Sequence, residues 1–423
     1  MNQKPETKNQ EPSSPSAKIW IQTGTPRSDP LDRWMQVGEA EARLVYEMTL
    51  RNELSGGTPL VREFEKSWRE SVGCRYGLSV MNGSSALYSA YFGLGVGTGD
   101  EVICPTYTWI CTIAPATLLG ARPVFAESDP KTLLLDPADV KKRITPNTRA
   151  IVVVHLWGYV CDMDAFMALS RETGIPIVED CSHAHGATYK GHPCGGIGAV
   201  GCWSFQGSKP ISAGEGGMLA TNDQEVYERA CLLGQVNRIA GVDLVTERYA
   251  EYQPLGLGMK FRSHPLAMAI AKIQTEKFPE LNRRRRAFVE EVEQGLSGLP
   301  GLHSIEACEG AERSGFYAFP VLHAPEETPG LSTADLLQKL QALGVTATAN
   351  PYPLLHRLPL YAKGFDLFTR NRGPLCGDYP GYREGDFPIT ERLVDRLIFL
   401  PLFSDPAPGA VEWLLERLRA ALE

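Results

Sequence analysis

Residues 175–187, IPIVEDCSHAHGA, and residues 202–219, CWSFQGSKPISAGEGGML, decide how this chain is read. The first segment is an apolar run that closes on an acid, Asp180, where a buried strand would finish. The second carries one lysine, Lys209, between a Ser-Phe pair and the glycine-rich turn Gly214-Glu215-Gly216-Gly217. A carboxylate at a strand's end and a lysine on a nearby loop are what pyridoxal phosphate chemistry needs. The amine forms the Schiff base, and the carboxylate keeps a proton on the pyridine nitrogen.

Around this pair the chain alternates apolar strands with helices. GLSVMNGSSALYSAYFGLGV reads as strand, tight turn and helix. EVICP (101–105), ARPVF (121–125), RAIVVVHLWG (149–158) and IPIVED (175–180) read as strands. Helices are expected over 109–119, 137–144 and 163–173. GAVGCWSF and GGMLATND are strands flanking the Lys209 loop. Near-continuous apolar strands alternating with helices mean an α/β fold, a mostly parallel sheet covered on both faces. Ligands of such sheets lie beyond the carboxyl ends of the strands, where Asp180, 82–85 and 105–109 would gather. Before this region, Val61, Phe64, Glu65 and Trp68 fall at helical spacing. After it, a long helix from His264 to about Leu296 leads into a smaller α+β part, with strands in GFYAFPVL and GVTATA. The expected division is a tail over 1–30, a large cofactor-binding domain over 31–285 and a small C-terminal domain over 286–423.

Other residues fit the same chemistry. NGSSAL (82–87) opens a helix, and backbone N–H groups at a helix start suit a phosphate. Gly83, Ser84 and Ser85 are candidates, although an N-cap needs the same residue types. Trp109, just past a strand end, could stack on a flat ring. His183 and His185 follow Asp180, and His183 could reach the cofactor's phenolic oxygen.

The 423-residue chain is 22% charged with a net charge of −8, so no basic footprint points to nucleic acid. The run Arg283-Arg284-Arg285-Arg286 reads as a solvated helix face or a subunit contact. Ten cysteines form no C-x-x-C pair and show no zinc spacing; free thiols in a reducing cytoplasm are expected, and no metal. The first residues, MNQKPETKNQEPSSPSAK, are polar and read as a disordered tail without the apolar core of a signal peptide. No apolar stretch is long enough to span a membrane.

From about Trp34 onward the chain resembles the DegT/DnrJ/EryC1/StrS family of sugar aminotransferases. The resemblance rests on LSGGTPLVREFE, NGSSAL, CPTYTW, VHLWGYVCDMD, VEDCSHAHGA, SFQGSKPISAGEGG and FPITERLVDRLIFLPLF. It implies a fold-type-I pyridoxal phosphate enzyme, a homodimer with composite sites. It further implies transfer of an amino group from glutamate or glutamine to a ketone of a nucleotide-linked sugar or a keto-cyclitol such as scyllo-inosose. Lys209 matches the Schiff-base lysine, Asp180 the pyridine partner and Trp109 the stacking aromatic. Gly83, Ser84 and Ser204 match phosphate contacts. Two positions depart from the pattern. His183 stands where the family usually has Gln, and His occurs there in subsets acting on cyclitol-like ketones. Lys260 in GMKFR stands where an Asn often reaches the partner's phosphate. Relatives that act as sugar dehydratases carry His in place of Lys209, so the lysine argues against that alternative. Intact Lys209 and Asp180 argue against a non-catalytic regulator.

Overall fold

The structure is a computed structural model that describes residues 31–236, 244–253 and 255–423. The expected N-terminal tail lies outside the described residues. In chain order the first strands are β1 (Tyr76–Val80), β2 (Glu101–Pro105), β3 (Arg122–Ala126), β4 (Thr148–Val154) and β5 (Ile177–Asp180). They are followed by β6 (Thr188–Tyr189), β7 (His192–Pro193), β8 (Val200–Ser204) and β9 (Gly217–Thr221). Seven of these form one sheet in the order β1-β9-β8-β5-β4-β2-β3. The neighbours from β3 to β8 pair parallel, and β9 alone runs against its neighbours β8 and β1.

Both faces of this sheet are buried, which is why its strands read as unbroken apolar runs. Along β4, Ile151 and Val153 join one core, while Ala150 and Val152 join the other. The helix Pro59–Ser71 packs on the first core through Val61, Phe64 and Trp68, three residues on one helical stripe.

Because β9 is reversed, its first residue lies at the same rim as the last residues of its neighbours. Gly217 pairs with both Val80 and Ser204. The loop carrying Lys209 joins β8 to β9 and stands on this rim beside the end of β5, Asp180. The helix Gly83–Gly93 also starts here, and glycines let it approach closely. A Cβ on Gly83 would stand 2.7 Å from Ser204 Cβ, and one on Gly217 would stand 2.4 Å from the Asn82 carbonyl oxygen.

The remaining strands are β10 (Leu302–Ser304), β11 (Ala311–Glu312), β12 (Phe319–His323), β13 (Thr348–Ala349) and β14 (Leu397–Leu400). A four-stranded sheet has the order β10-β12-β14-β13, and β11 pairs with β6 of a small sheet. Phe288, Val292 and Leu296 pack with Phe319, Ile398 and Leu414 in a third core. The helix Pro265–Leu296 runs unbroken past residue 285, where the division into two domains was expected.

Three expectations are corrected. Residues 109–119 are not one helix but a 3-10 turn, Ile110–Thr112, followed by the short helix Ala114–Leu118. Pro115 has no N–H to donate to the carbonyl of Cys111, so a continuous helix loses a rung there. The run 149–158 stops being a strand at Val154 and turns at Leu156–Gly158, with Trp157 in the left-handed region at φ 54°. The arginine run is only in part a solvated face: Arg283 is exposed, but half-buried Arg285 donates to Ser404 Oγ and to the carbonyls of Gly315 and Phe316. Its neighbours Arg284 and Arg286 pair with Asp405 and Glu312.

Candidate active site

A cavity of about 440 Å³ opens at the rim. Gly83, Ser84, Trp109, Asp180, His183, Ser204 and Lys209 all line it. The two residues singled out first therefore share one pocket.

Asp180 is 5% exposed. One carboxylate oxygen accepts from Thr112 Oγ1 at 2.8 Å, and the other accepts from the Ser182 N–H at 3.1 Å. A carboxylate has about four acceptor positions, so capacity remains toward the cavity. Lys209 is half-buried, and its N–H donates to the Gln206 carbonyl at 2.8 Å. Its Nζ lies 4.1 Å from the centroid of the Tyr317 ring.

His183 is buried and nearly parallel to Tyr317, with ring centroids 4.1 Å apart. Its Nδ1 accepts from the Trp157 N–H at 3.4 Å, which leaves the neutral ring's proton on Nε2, 3.4 Å from the Tyr352 hydroxyl. Burial pushes His183 well below the ordinary imidazole range, helped by the charge of Lys209. The ring is thus a neutral donor rather than a cation.

At the start of the helix Gly83–Gly93, Asn82 Oδ1 accepts from the Ser85 N–H at 2.9 Å, and Ser85 Oγ lies 2.8 Å from the Asn82 carbonyl oxygen. Ser85 is spent on this cap and does not line the cavity. Gly83 and Ser84 do, at a helix end whose first N–H groups have no intrahelical acceptor. Trp109 stands at the mouth, 45% exposed, its ring 5.6 Å from that of Tyr352. A flat ligand bearing an anionic group and a carbonyl suits this donor set. The helix end at Gly83 and Ser84, the buried carboxylate and the amine each offer it a partner.

Lys260 lies elsewhere. It is exposed and lines a separate hollow of about 270 Å³ with Arg262, Ser263 and His264. Tyr317 and Tyr352 are lining residues that sequence reasoning missed. Tyr317 stands among the aromatics of GFYAFPVL and Tyr352 between two prolines, and neither segment carries a motif that points to the site. Gln206, Glu215 and Thr112 also line the cavity. The first two lie inside the glycine-rich and Ser-Phe motifs already quoted.

His155, Glu179 and Cys181 place ligand atoms within 4.8 Å of one another. Their hydrogen bonds account for this cluster without an ion. His155 Nδ1 accepts from the Cys161 N–H, so Nε2 carries the proton and donates to Glu179 at 3.1 Å. Burial, with Glu179 beside it, pushes the Cys181 thiol well above its usual range.

The fold and rim define a lysine-bearing α/β enzyme of the aminotransferase class. The chain belongs to the DegT/DnrJ/EryC1/StrS aminotransferase family, whose model matches residues 36–419. It is 33% identical over 376 residues to a putative L-glutamine:3-amino-2,3-dideoxy-scyllo-inosose aminotransferase of Streptoalloteichus tenebrarius, covering 87% of this chain and 88% of that one. It is 30% identical to the spore coat polysaccharide biosynthesis protein SpsC of Bacillus subtilis, covering 90% of this chain and 94% of the relative. Among solved structures, the aminotransferase of Psychrobacter cryohalolentis superposes with a TM-score of 0.80 at 26% identity, covering 92% of this chain and 98% of that one. The aminotransferase TlmJ of Streptoalloteichus hindustanus gives 0.74 at 31% identity, covering 91% and 96%.

Proposed function

We propose that this aminotransferase binds pyridoxal phosphate in the Lys209 cavity and moves an amino group from L-glutamine or L-glutamate to the ketone of a keto-cyclitol or nucleotide-linked sugar. The observation that carries this reading is the meeting of Lys209, Asp180 and a helix N-terminus around one cavity. The acceptor class follows from relatives named for a scyllo-inosose derivative. When bound, the cofactor supplies an electron sink that lets a substrate carbon lose its proton.

In this reading Asp180 holds a proton on the pyridine nitrogen, with Thr112 fixing its orientation. The N–H groups of Gly83 and Ser84, with the Ser204 hydroxyl, hold the phosphate, while the Ser85 hydroxyl closes the cap behind them. Trp109 covers the ring, and His183 donates from Nε2 to its phenolic oxygen. Lys209 Nζ anchors the cofactor and, once released, carries a proton at the reacting carbon. Holding that amine in place is worth roughly 7–11 kcal/mol in favourable cases. Donor and acceptor use the one pocket in turn, which is ping-pong kinetics.

Lys260 does not line its own chain's cavity, so its use there requires a second copy in a homodimer with shared sites. Ten free cysteines suit the cytoplasm. Among the described residues no helix is long and apolar enough to cross a membrane.

The test is the visible spectrum of purified protein with pyridoxal phosphate. A donor amino acid should bleach the band, and scyllo-inosose or a keto-sugar should restore it. A Lys209→Ala variant with normal turnover would overturn the mechanism.

A further inference from the structure

Tyr317 is held over Lys209 by a turn that is costly to form. Gly315 and Phe316 both have positive φ, 78° and 42°. A residue with a side chain rarely adopts that region, so neighbouring contacts must hold Phe316 there. The helix Pro265–Leu296 provides them. Asn282 Oδ1 accepts from the Gly315 N–H at 2.8 Å. Half-buried Arg285 donates from Nη1 to the carbonyls of Gly315 and Phe316 at 3.2 and 3.4 Å. The turn is also pressed against the site. A Cβ on Gly315 would stand 2.9 Å from the His183 carbonyl oxygen and 3.4 Å from Pro210 Cγ, on the residue after Lys209. The Tyr317 hydroxyl lies 3.0 Å from Ser208 Oγ, on the residue before it.

We propose that Tyr317 is a positioning residue for Lys209, its ring face holding the lysine amine at the cavity while substrates exchange. This rests on the reading of Lys209 as the amine that anchors the cofactor. Lysine has a flexible four-carbon stem, and a cation over an aromatic face is attracted by the ring's quadrupole. A clamped ring therefore narrows where the amine can go and keeps it close to the reacting carbon. The phenol answers to the same neighbour. Burial alone would raise it, but the charge of the Lys209 ammonium and hydrogen bonds from Ser208, Tyr352 and Lys209 itself outweigh burial and bring it below its usual range.

The test compares wild type, Tyr317→Phe, Tyr317→Leu and Asn282→Ala. Apoprotein is mixed with pyridoxal phosphate and quenched at intervals with borohydride. Modified Lys209 is then quantified by mass spectrometry, and kcat and KM for amino transfer are measured beside it. Tyr317→Phe keeps the ring face and should stay within about twofold of wild type. Tyr317→Leu should lose about tenfold in capture rate and kcat, with the donor KM little changed. Asn282→Ala loosens the turn only and should lose about threefold. A Leu variant equal to wild type overturns the proposal, as does a Phe variant as impaired as Leu. If the Leu variant does not fold, Asn282→Ala decides: slowed capture supports the proposal and wild-type capture overturns it. If wild-type protein is not modified at Lys209, the reading of Lys209 itself fails.

Discussion

Glu179 and Asp180 are adjacent buried carboxylates at the end of one strand, and they serve opposite ends. Glu179 is fully saturated. It accepts from the N–H groups of Gly195, Ile197 and Gly198, at 2.7, 2.9 and 2.5 Å, and from His155 Nε2. It ties the loop after β7 to the sheet and does not line the cavity. Asp180 has two partners and an open side toward the cavity. The alternation of side chains along a strand separates them: one step of the backbone divides a carboxylate spent on the fold from one left open to the cavity.

The comparison can be broken at either residue. Asp180→Ala should cost about a thousandfold in kcat, close to 4 kcal/mol of transition-state stabilisation, with the urea midpoint nearly unchanged. Turnover and unfolding measured together check this. Glu179→Gln should do the reverse. It turns an amide N–H toward backbone donors and should cost about 3 kcal/mol of stability by urea unfolding, while folded protein keeps most of its turnover.

A pH experiment sharpens the contrast with a group just beyond the pair. Burial pushes His185 from 6.5 down to about 3, and its ring packs against Trp68 and Phe205. The unfolded chain binds the proton more readily, so stability is present above pH 6.5 and falls as the pH drops toward 3. Between pH 7 and pH 5 wild type should lose about 2 kcal/mol more than His185→Phe in denaturant unfolding at both values. The smallest effect is expected at Thr112→Val, which removes one hydrogen bond to Asp180 and should lower kcat about fivefold without moving the urea midpoint.

What could be read from the sequence was local. Continuous apolar strands announced a sheet buried on both faces. Asn82 announced a helix start, and Asp180 and Lys209 stood in segments whose composition is hard to explain otherwise. What could not be read depends on long-range contacts. Tyr317 and Tyr352 enter the cavity from segments far along the chain, and nothing beside them marks the destination. β14, LIFL, is too short an apolar run to separate strand from buried helix by pattern. Arg285 looks like its three neighbours in a basic run; only the fold turns it inward to hold a strained turn. Lys260, expected near a phosphate from its motif, lines a hollow separate from the Lys209 cavity.

The cavity draws on residues from Asn82 to Tyr352, and this sets an order of events during synthesis. At roughly 5–20 residues per second, Tyr352 is made roughly seven to thirty seconds after Lys209. For that interval a growing chain carries the amine and the carboxylate without the complete wall that Tyr317 and then Tyr352 supply. The closed cavity therefore belongs to the nearly finished protein, and a fragment ending before Tyr317 would leave the Lys209 amine without the ring that faces it.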